Sequence, residues 1–251
     1  MKPPFERVAI IGLGLIGSSI ARAIRKSGAA KVIVAIDRDD TVRARVADLG
    51  IADHVTADAA SGVEGCDLVM LCVPVMANAA LAAAIGPHLA AGAIVSDVGS
   101  VKGSVVRDVA PHLPEGVHFV PAHPVAGTEN SGPDAGFAEL FVNRWSILTP
   151  PPGTGEAAIA RTKAFWEALG SNVEVMTPEH HDLVLAITSH VPHLIAYNIV
   201  GTAAHLEETL TSEVIKFSAG GFRDFTRIAA SDPTMWRDVF LTNKEAVLEM
   251  L

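Results

Sequence analysis

Arg7-Val8-Ala9-Ile10-Ile11-Gly12-Leu13-Gly14-Leu15-Ile16-Gly17-Ser18-Ser19 is the stretch on which the reading of this chain turns. An apolar, β-branched run breaks into three glycines and then takes up helical spacing through Ile16, Ile20 and Ile24. Gly12, Gly14 and Gly17 stand at the G-x-G-x-x-G spacing of a dinucleotide-binding turn. In such a turn the first glycine allows the sharp exit from the strand and the second lets the backbone approach a pyrophosphate. The third lets the helix lie close to the strand. The free N–H groups and partial positive charge of the helix N-terminus favour a phosphate there.

A second apolar strand, Val32-Ile33-Val34-Ala35-Ile36, ends in Asp37, twenty residues after Gly17. An acid at that place accepts hydrogen bonds from a ribose 2′-hydroxyl, or else simply caps the next turn. A carboxylate there repels a 2′-phosphate, which favours NAD over NADP; Arg38 beside it is the side chain that would hold such a phosphate, so NADP stays open. The expected cofactor set is Gly12, Leu13, Gly14, Leu15, Ile16, Gly17, Asp37, Arg38, the strand-end pair Val73-Pro74, and Ser100.

A chain of 251 residues buries a large core as one big domain or two modest ones. Hydrophobic residues make up 49% and charged residues 19%, which describes a folded protein and not a disordered one. The net charge of −9, with no basic block, argues against a nucleic-acid partner. Cys66 and Cys72 read as small apolar side chains in a reducing compartment, which with the missing signal-peptide pattern predicts a cytoplasmic location. The longest apolar stretch, Leu68 to Ile85, is interrupted by Pro74 and Asn78, so no membrane helix is expected.

Taken in order, the apolar runs predict strands at Asp67–Pro74, Ala93–Val98 and His118–Pro124, with helices at Asn78–Leu89 and Lys102–His112 between them. Alternating strands and helices imply a doubly wound parallel sheet of Rossmann type, whose ligands bind at the carboxyl ends of the strands. Strands at Trp145–Thr149 and Asn172–Met176 flank a helix at Glu156–Leu169. From Thr177 and Pro178 onward everything reads as helix: 179–189, 192–209, 212–218 and 233–251. The expected division is therefore a dinucleotide-binding α/β domain over residues 1–177 and an all-α domain over 178–251. Seventy-odd helical residues bury too little apolar surface alone, which predicts packing against a second copy.

Removing a hydride from an alcohol carbon requires a group that takes the hydroxyl proton, and histidine suits this. His123 is expected at the carboxyl end of a parallel strand, either as that base or as a buried histidine bonded to backbone. Ser100 assists it, caps the helix expected to begin at Val101, or does both. His190 and His193, three residues apart, share one side of a helix, and His180, His181 and Asp182 lie upstream. That spacing is compatible with a metal, although Pro192 disturbs it and no third ligand is singled out. Arg223 and Arg227 are either a carboxylate clamp or partners of Asp224 and Asp232.

Together these segments resemble the prephenate/arogenate (cyclohexadienyl) dehydrogenase family of tyrosine biosynthesis. The resemblance runs through Gly12–Ser18, Asp97–Lys102, His123–Glu129, Ser189-His190-Val191-Pro192-His193, Arg227-Ile228-Ala229, Asp232-Pro233 and Trp236. It implies a Rossmann-type domain, a helical dimerisation domain and an NAD-dependent oxidative decarboxylation of prephenate, arogenate or both. It further implies that His123, with Ser100 beside it, receives the proton of the ring hydroxyl. Arg227 would bind a substrate carboxylate, His193 would contact substrate, and Ser189 and His190 would line the same pocket. No metal is implied. Family members usually continue past Glu249-Met250-Leu251, where this chain stops in an expected mid-helix.

Three other readings share some of these features. A β-hydroxyacid dehydrogenase or pyrroline-carboxylate reductase has the same glycine loop and a helical second domain, but often uses a lysine there. Beyond residue 177 the only lysines are Lys216 and Lys244. A redox-sensing NAD module would not need His123, and a metal hydrolase built on His190 and His193 would not need NAD.

Overall fold

The computed structural model describes residues 3–128, 130–210, 216, 217 and 219–251, and the chain divides into two compact units, Met1–His181 and Asp182–Leu251. At the centre of the first unit is β1 (Phe5–Ile11), which pairs in parallel with β2 (Ala30–Ile36) on one side and β4 (Leu68–Leu71) on the other. With β3 (His54–Thr56), β5 (Ile94–Asp97) and β6 (His118–Phe119) they form one parallel sheet in the order β3-β2-β1-β4-β5-β6. The strand order reverses direction between β1 and β4, which places the ligand crevice at the end of β1, where the glycine loop lies.

β1 shows why its sequence is continuously apolar. Val8 and Ile10 pack on one face with Ile20, Ile24, Ile33, Phe165 and Trp166, while Ala9 and Ile11 pack on the other with Val34, Val69, Leu71 and Val105. Both faces are covered, so neither alternates with polar residues. The helices that follow β1 to β5 are α1 (Leu15–Ser27), α2 (Asp40–Asp48), α3 (Ala59–Gly62), α4 (Asn78–Ile85) and α5 (Lys102–Val109).

The run His118–Pro124, expected as one strand, is two. β6 ends at Phe119, and β7 (Ala122–Pro124) belongs to a second, three-stranded sheet with β8 (Trp145–Leu148) and β9 (Asn172–Val175), where it runs antiparallel to β8. Pro121 sits at the break; it has no N–H to give a ladder, and its carbonyl instead accepts from Thr149 N–H at 2.9 Å. His123 is thus paired with Ile147 in the small sheet, not at the end of a parallel strand as expected. The helix between β8 and β9 is α6 (Glu156–Ala168).

α7 (Pro178–Leu185) begins where expected, with Thr177 Oγ1 accepting from His180 N–H at 3.2 Å. The helix does not break before Pro192. It passes through a π turn, Ala186–His190, into α8 (Val191–Leu210). There Val191 N–H bonds Ala186 O, five residues back. The wider turn changes the register just before Pro192, which lacks an N–H and would crowd the carbonyl four residues before it in a regular helix.

The expected helix 212–218 lies outside the described residues except for Lys216 and Phe217. The glycine pair Gly220-Gly221 opens a helix, α9 (Gly220–Thr226), followed by a 3-10 turn, Arg227–Ala230. The single helix expected over 233–251 is two, α10 (Pro233–Thr242) and α11 (Lys244–Glu249), broken at Asn243.

The helix Pro178–Leu206 is long and apolar enough to cross a membrane by length and composition alone, a test that helices packed within a fold also pass. Only 28% of its most apolar window is buried, and Leu183, Ile187, Ile195, Ile199, Val200 and Leu206 are exposed along it.

Candidate active site

The three loop glycines are required for three different reasons. Gly12 has φ +94°, and a Cβ there would lie 2.4 Å from Cys72 O at the end of β4. A Cβ on Gly17 would meet Gly12 O at 1.9 Å, so α1 touches the loop backbone directly. Gly14, the N-cap of α1 with no side-chain cap, has nothing within 4 Å of its Cβ position. The empty side of Gly14 and the uncapped helix N-terminus are what a pyrophosphate needs. Asp37, at the end of β2, accepts from Leu13 N–H at 2.8 Å through one oxygen and from Asp39 N–H at 3.0 Å through the other. It therefore does cap the following turn, and it also ties β2 to the glycine loop. Arg38 beside it is exposed.

The chain between β5 and α5, which carries Ser100, is closed by a buried ion pair that also reaches the residue before His123. Asp97, at the end of β5, and Lys102, the first residue of α5, are both fully buried and 2.5 Å apart. Lys102 Nζ also donates to Ala122 O at 2.7 Å, and Asp97 accepts from Ala122 N–H at 3.3 Å and Gly99 N–H at 2.7 Å. Both backbone groups of the residue before His123 are thus held from β5 and α5. Two opposite charges out of water are tolerable only with such additional bonds. Ser100 is half-buried and does not cap α5; the N-cap is Val101, whose side chain makes no capping bond.

His123 is 9% exposed, and its Nδ1 lies 2.9 Å from Nε2 of His181, which is fully buried in the first turn of α7. Of the expected motif His123–Glu129, Glu129 lies outside the described residues.

In the second unit the π turn carries Ser189 and His190. His190 is fully buried, and its Nδ1 lies 3.0 Å from Asn243 Nδ2, which also donates to Asp182 O at 3.0 Å. An amide N–H on Nδ1 makes that nitrogen the acceptor and places the proton of neutral His190 on Nε2. His193 is half-buried, its Nδ1 lies 2.8 Å from Ser189 O, and its ring stacks on Trp236 at 3.6 Å and 18°. A carbonyl only accepts, so Nδ1 carries the proton. Burial lowers the pKa of His193 below its ordinary value, with the Ser189 carbonyl partly opposing.

His190 and His193 are therefore oriented by different partners, and among the described residues no three His, Cys, Asp or Glu side chains converge as a metal site. Arg227 opens the 3-10 turn after α9, exposed and in no ion pair with a described residue. Asp232, its expected alternative partner, accepts instead from Thr234 and Met235 N–H at the start of α10.

Sequence reading assigned no role to Lys102, Asn243 or Trp236, and His181 figured only as a residue upstream of a metal pair. Lys102 lay within a quoted motif, but nothing in its spacing announced that its side chain turns inward. His181 and Asn243 carried no local signal at all.

Residues 20–175 match the description "Prephenate dehydrogenase, nucleotide-binding domain", and residues 177–251 match "Prephenate dehydrogenase, dimerization domain". The chain belongs to the prephenate dehydrogenase family. It is 47% identical over 247 residues to a cyclohexadienyl dehydrogenase of Zymomonas mobilis, covering 98% of this chain and 84% of that one. It is 37% identical to a prephenate dehydrogenase of Bacillus subtilis, covering 97% of this chain and 66% of the relative. Prephenate dehydrogenase from A. aeolicus, solved with hydroxyphenyl propionate and NAD+, superimposes with a TM-score of 0.89 at 39% identity, covering 98% of this chain and 85% of that one.

Proposed function

We infer that this chain is an NAD-dependent dehydrogenase that oxidises prephenate, arogenate or both with loss of carbon dioxide, in tyrosine biosynthesis. One observation carries the reading: the family's two domain descriptions span residues 20–251 almost without a break, with 47% identity to a cyclohexadienyl dehydrogenase.

The loop residues Gly12 to Gly17 and the N-terminus of α1 would hold the pyrophosphate of NAD, with Asp37, Arg38, Val73 and Pro74 around the rest of the nucleotide. The open side of Gly14 supports this placement. NAD, when bound, accepts the hydride from the ring carbon. His123 takes the proton of the 4-hydroxyl as the carbon–oxygen bond becomes a carbonyl, with Ser100 beside that hydroxyl. The ring carboxylate then leaves as carbon dioxide, its bonding pair makes the ring aromatic, and the carbonyl oxygen becomes a phenol by taking up a proton. In this reading Arg227 holds a substrate carboxylate as a charge-assisted pair, and its lack of any ion pair with a described residue supports that role. His193, His190 and Ser189 contact substrate or shape the wall around it. The neutral form of His193, favoured by burial, makes its Nε2 an acceptor for a substrate donor.

The exposed apolar residues of Pro178–Leu206 are covered in a homodimer formed through the helical domain, a reading supported by the dimerization description of residues 177–251. The compartment proposed is the cytoplasm, consistent with the free thiols of Cys66 and Cys72.

The test is NADH formation, followed by absorbance, with NAD and either prephenate or arogenate. Turnover with one or both is expected, and His123→Asn is expected to lower kcat by about a hundredfold or more with NAD affinity unchanged. No turnover with either substrate, in protein that binds NAD, refutes the chemistry and leaves the nucleotide site standing. Sedimentation of the wild-type protein at the mass of a monomer would overturn the dimer.

A further inference from the structure

His123 touches a second histidine, His181, that no motif marks and that the chemistry above does not use. The two rings meet edge to face, with centroids 5.1 Å apart and planes at 70°, and Nδ1 of His123 lies 2.9 Å from Nε2 of His181. At that distance one of the two nitrogens carries the hydrogen and the other accepts it. His181 is fully buried, its own N–H bonds Thr177 O at 3.0 Å, and it sits in the first turn of a helix that Thr177 and Pro178 start. That backbone bond holds the main chain of His181 in the helix, and full burial encloses its ring. From the other side, Lys102 and Asp97 grip both backbone groups of Ala122, the residue before His123. Two rigid elements meet at one nitrogen–nitrogen contact.

Resting on the assignment of His123 as the base, we propose that His181 is a positioning residue that sets the tautomer and ring orientation of His123. Neutral imidazole carries one hydrogen, and a base acting through Nε2 requires that hydrogen on Nδ1. His181 Nε2, unprotonated and fixed, accepts it there. When the 4-hydroxyl proton arrives at His123 Nε2, the ring becomes an imidazolium whose Nδ1–H still points at His181. No proton passes on to His181. The same bond, now charge-assisted, strengthens as charge develops, so it favours the reaction more than it favours the ground state. A carboxylate plays this part in many proton-transfer sites; an uncharged imidazole orients the base without adding a buried negative charge.

The test uses a matched pair of substitutions in the full chain. His181→Met and His181→Gln give side chains of similar length, but only glutamine offers an oxygen to accept from Nδ1. His181→Met should lower kcat about ten- to a hundredfold while KM and NAD affinity stay within about twofold. His181→Gln should recover most of that loss. In a His123→Asn background, His181→Met should cost nothing further, because the group it positions is gone. Full activity in His181→Met, equal impairment of both variants, or multiplied losses in the double variant each overturn the proposal. If His123→Asn itself keeps its kcat, the base assignment falls and this proposal with it. Loss in His123→Asn alone, with His181→Met fully active, refutes only the proposal. Should the variants fail to fold, the imidazole ¹⁵N shifts of His123 in the wild-type protein decide. Protonated Nδ1 with unprotonated Nε2 supports the proposal, and the opposite tautomer refutes it.

Discussion

Alanine at Gly14 and alanine at Gly17 add the same methyl group to neighbouring turns and should have opposite consequences. At Gly17 the new Cβ would lie 1.9 Å from Gly12 O, whereas ordinary contact begins at 3.4 Å, so α1 must retreat by 1.5 Å or the loop must deform. Both partners are backbone and cannot turn aside as a side chain can. Overpacking of this kind costs about 3 kcal/mol, the upper part of the usual range. In a unit of this size that lowers Tm by about 6–12 °C. At Gly14 the backbone is extended, at φ −72° and ψ −159°, and no atom lies within 4 Å of the Cβ position. Gly14→Ala should therefore change stability by no more than about 0.5 kcal/mol. The methyl instead occupies the space assigned to the pyrophosphate, and NAD affinity should fall about ten- to a hundredfold, or about 1.4–2.7 kcal/mol. Thermal unfolding without nucleotide and NAD titration by calorimetry read the two effects separately. Normal NAD affinity in Gly14→Ala would refute the placement of the pyrophosphate over that glycine. Wild-type melting of Gly17→Ala would refute the tight contact between α1 and the loop.

Three other outcomes follow from the same structure. Lys102→Met leaves Asp97 charged and fully buried and should cost about 3–5 kcal/mol in denaturant unfolding; adding Asp97→Asn should return part of that loss, and a single-variant loss below about 1 kcal/mol would contradict the buried pair. Because burial depresses the His193 pKa, the unfolded chain binds that proton more readily than the folded one. Stability should then fall as pH drops below the ordinary value of 6.5, and His193→Gln should lose less Tm than wild type between about pH 7 and about pH 5; equal losses would contradict the depressed pKa. Arg227→Ala should raise the substrate KM about ten- to a hundredfold with NAD affinity unchanged, as expected for a lost charged hydrogen bond; steady-state kinetics showing an unchanged KM would remove Arg227 from substrate binding.

Features that depend on neighbours along the chain are legible in the residues alone. β1, the glycine loop and α1 are legible in one run of residues because the turn, the close approach and the helix start are all satisfied within that run. The apolar stretches at Val32–Ile36 and Leu68–Leu71 declare buried parallel strands for the same reason: burial on both faces leaves a mark at every position. The helical character past Thr177 is written in its cap and its proline.

Which sheet His123 joins is fixed by the three-dimensional fold, because Pro121 marks a break without saying where the chain goes next. The fold alone continued the helix through Pro192, since a π turn has no apolar period of its own. It alone brought His181 to His123 across 58 residues and Asn243 to His190 across 53. A hydrogen bond between distant side chains is satisfied in space and leaves no repeating pattern along the chain. Lys102 makes the point most sharply: its charge reads as a solvated helix start, and its burial is intelligible only with Asp97 and the Ala122 carbonyl already in place to receive it.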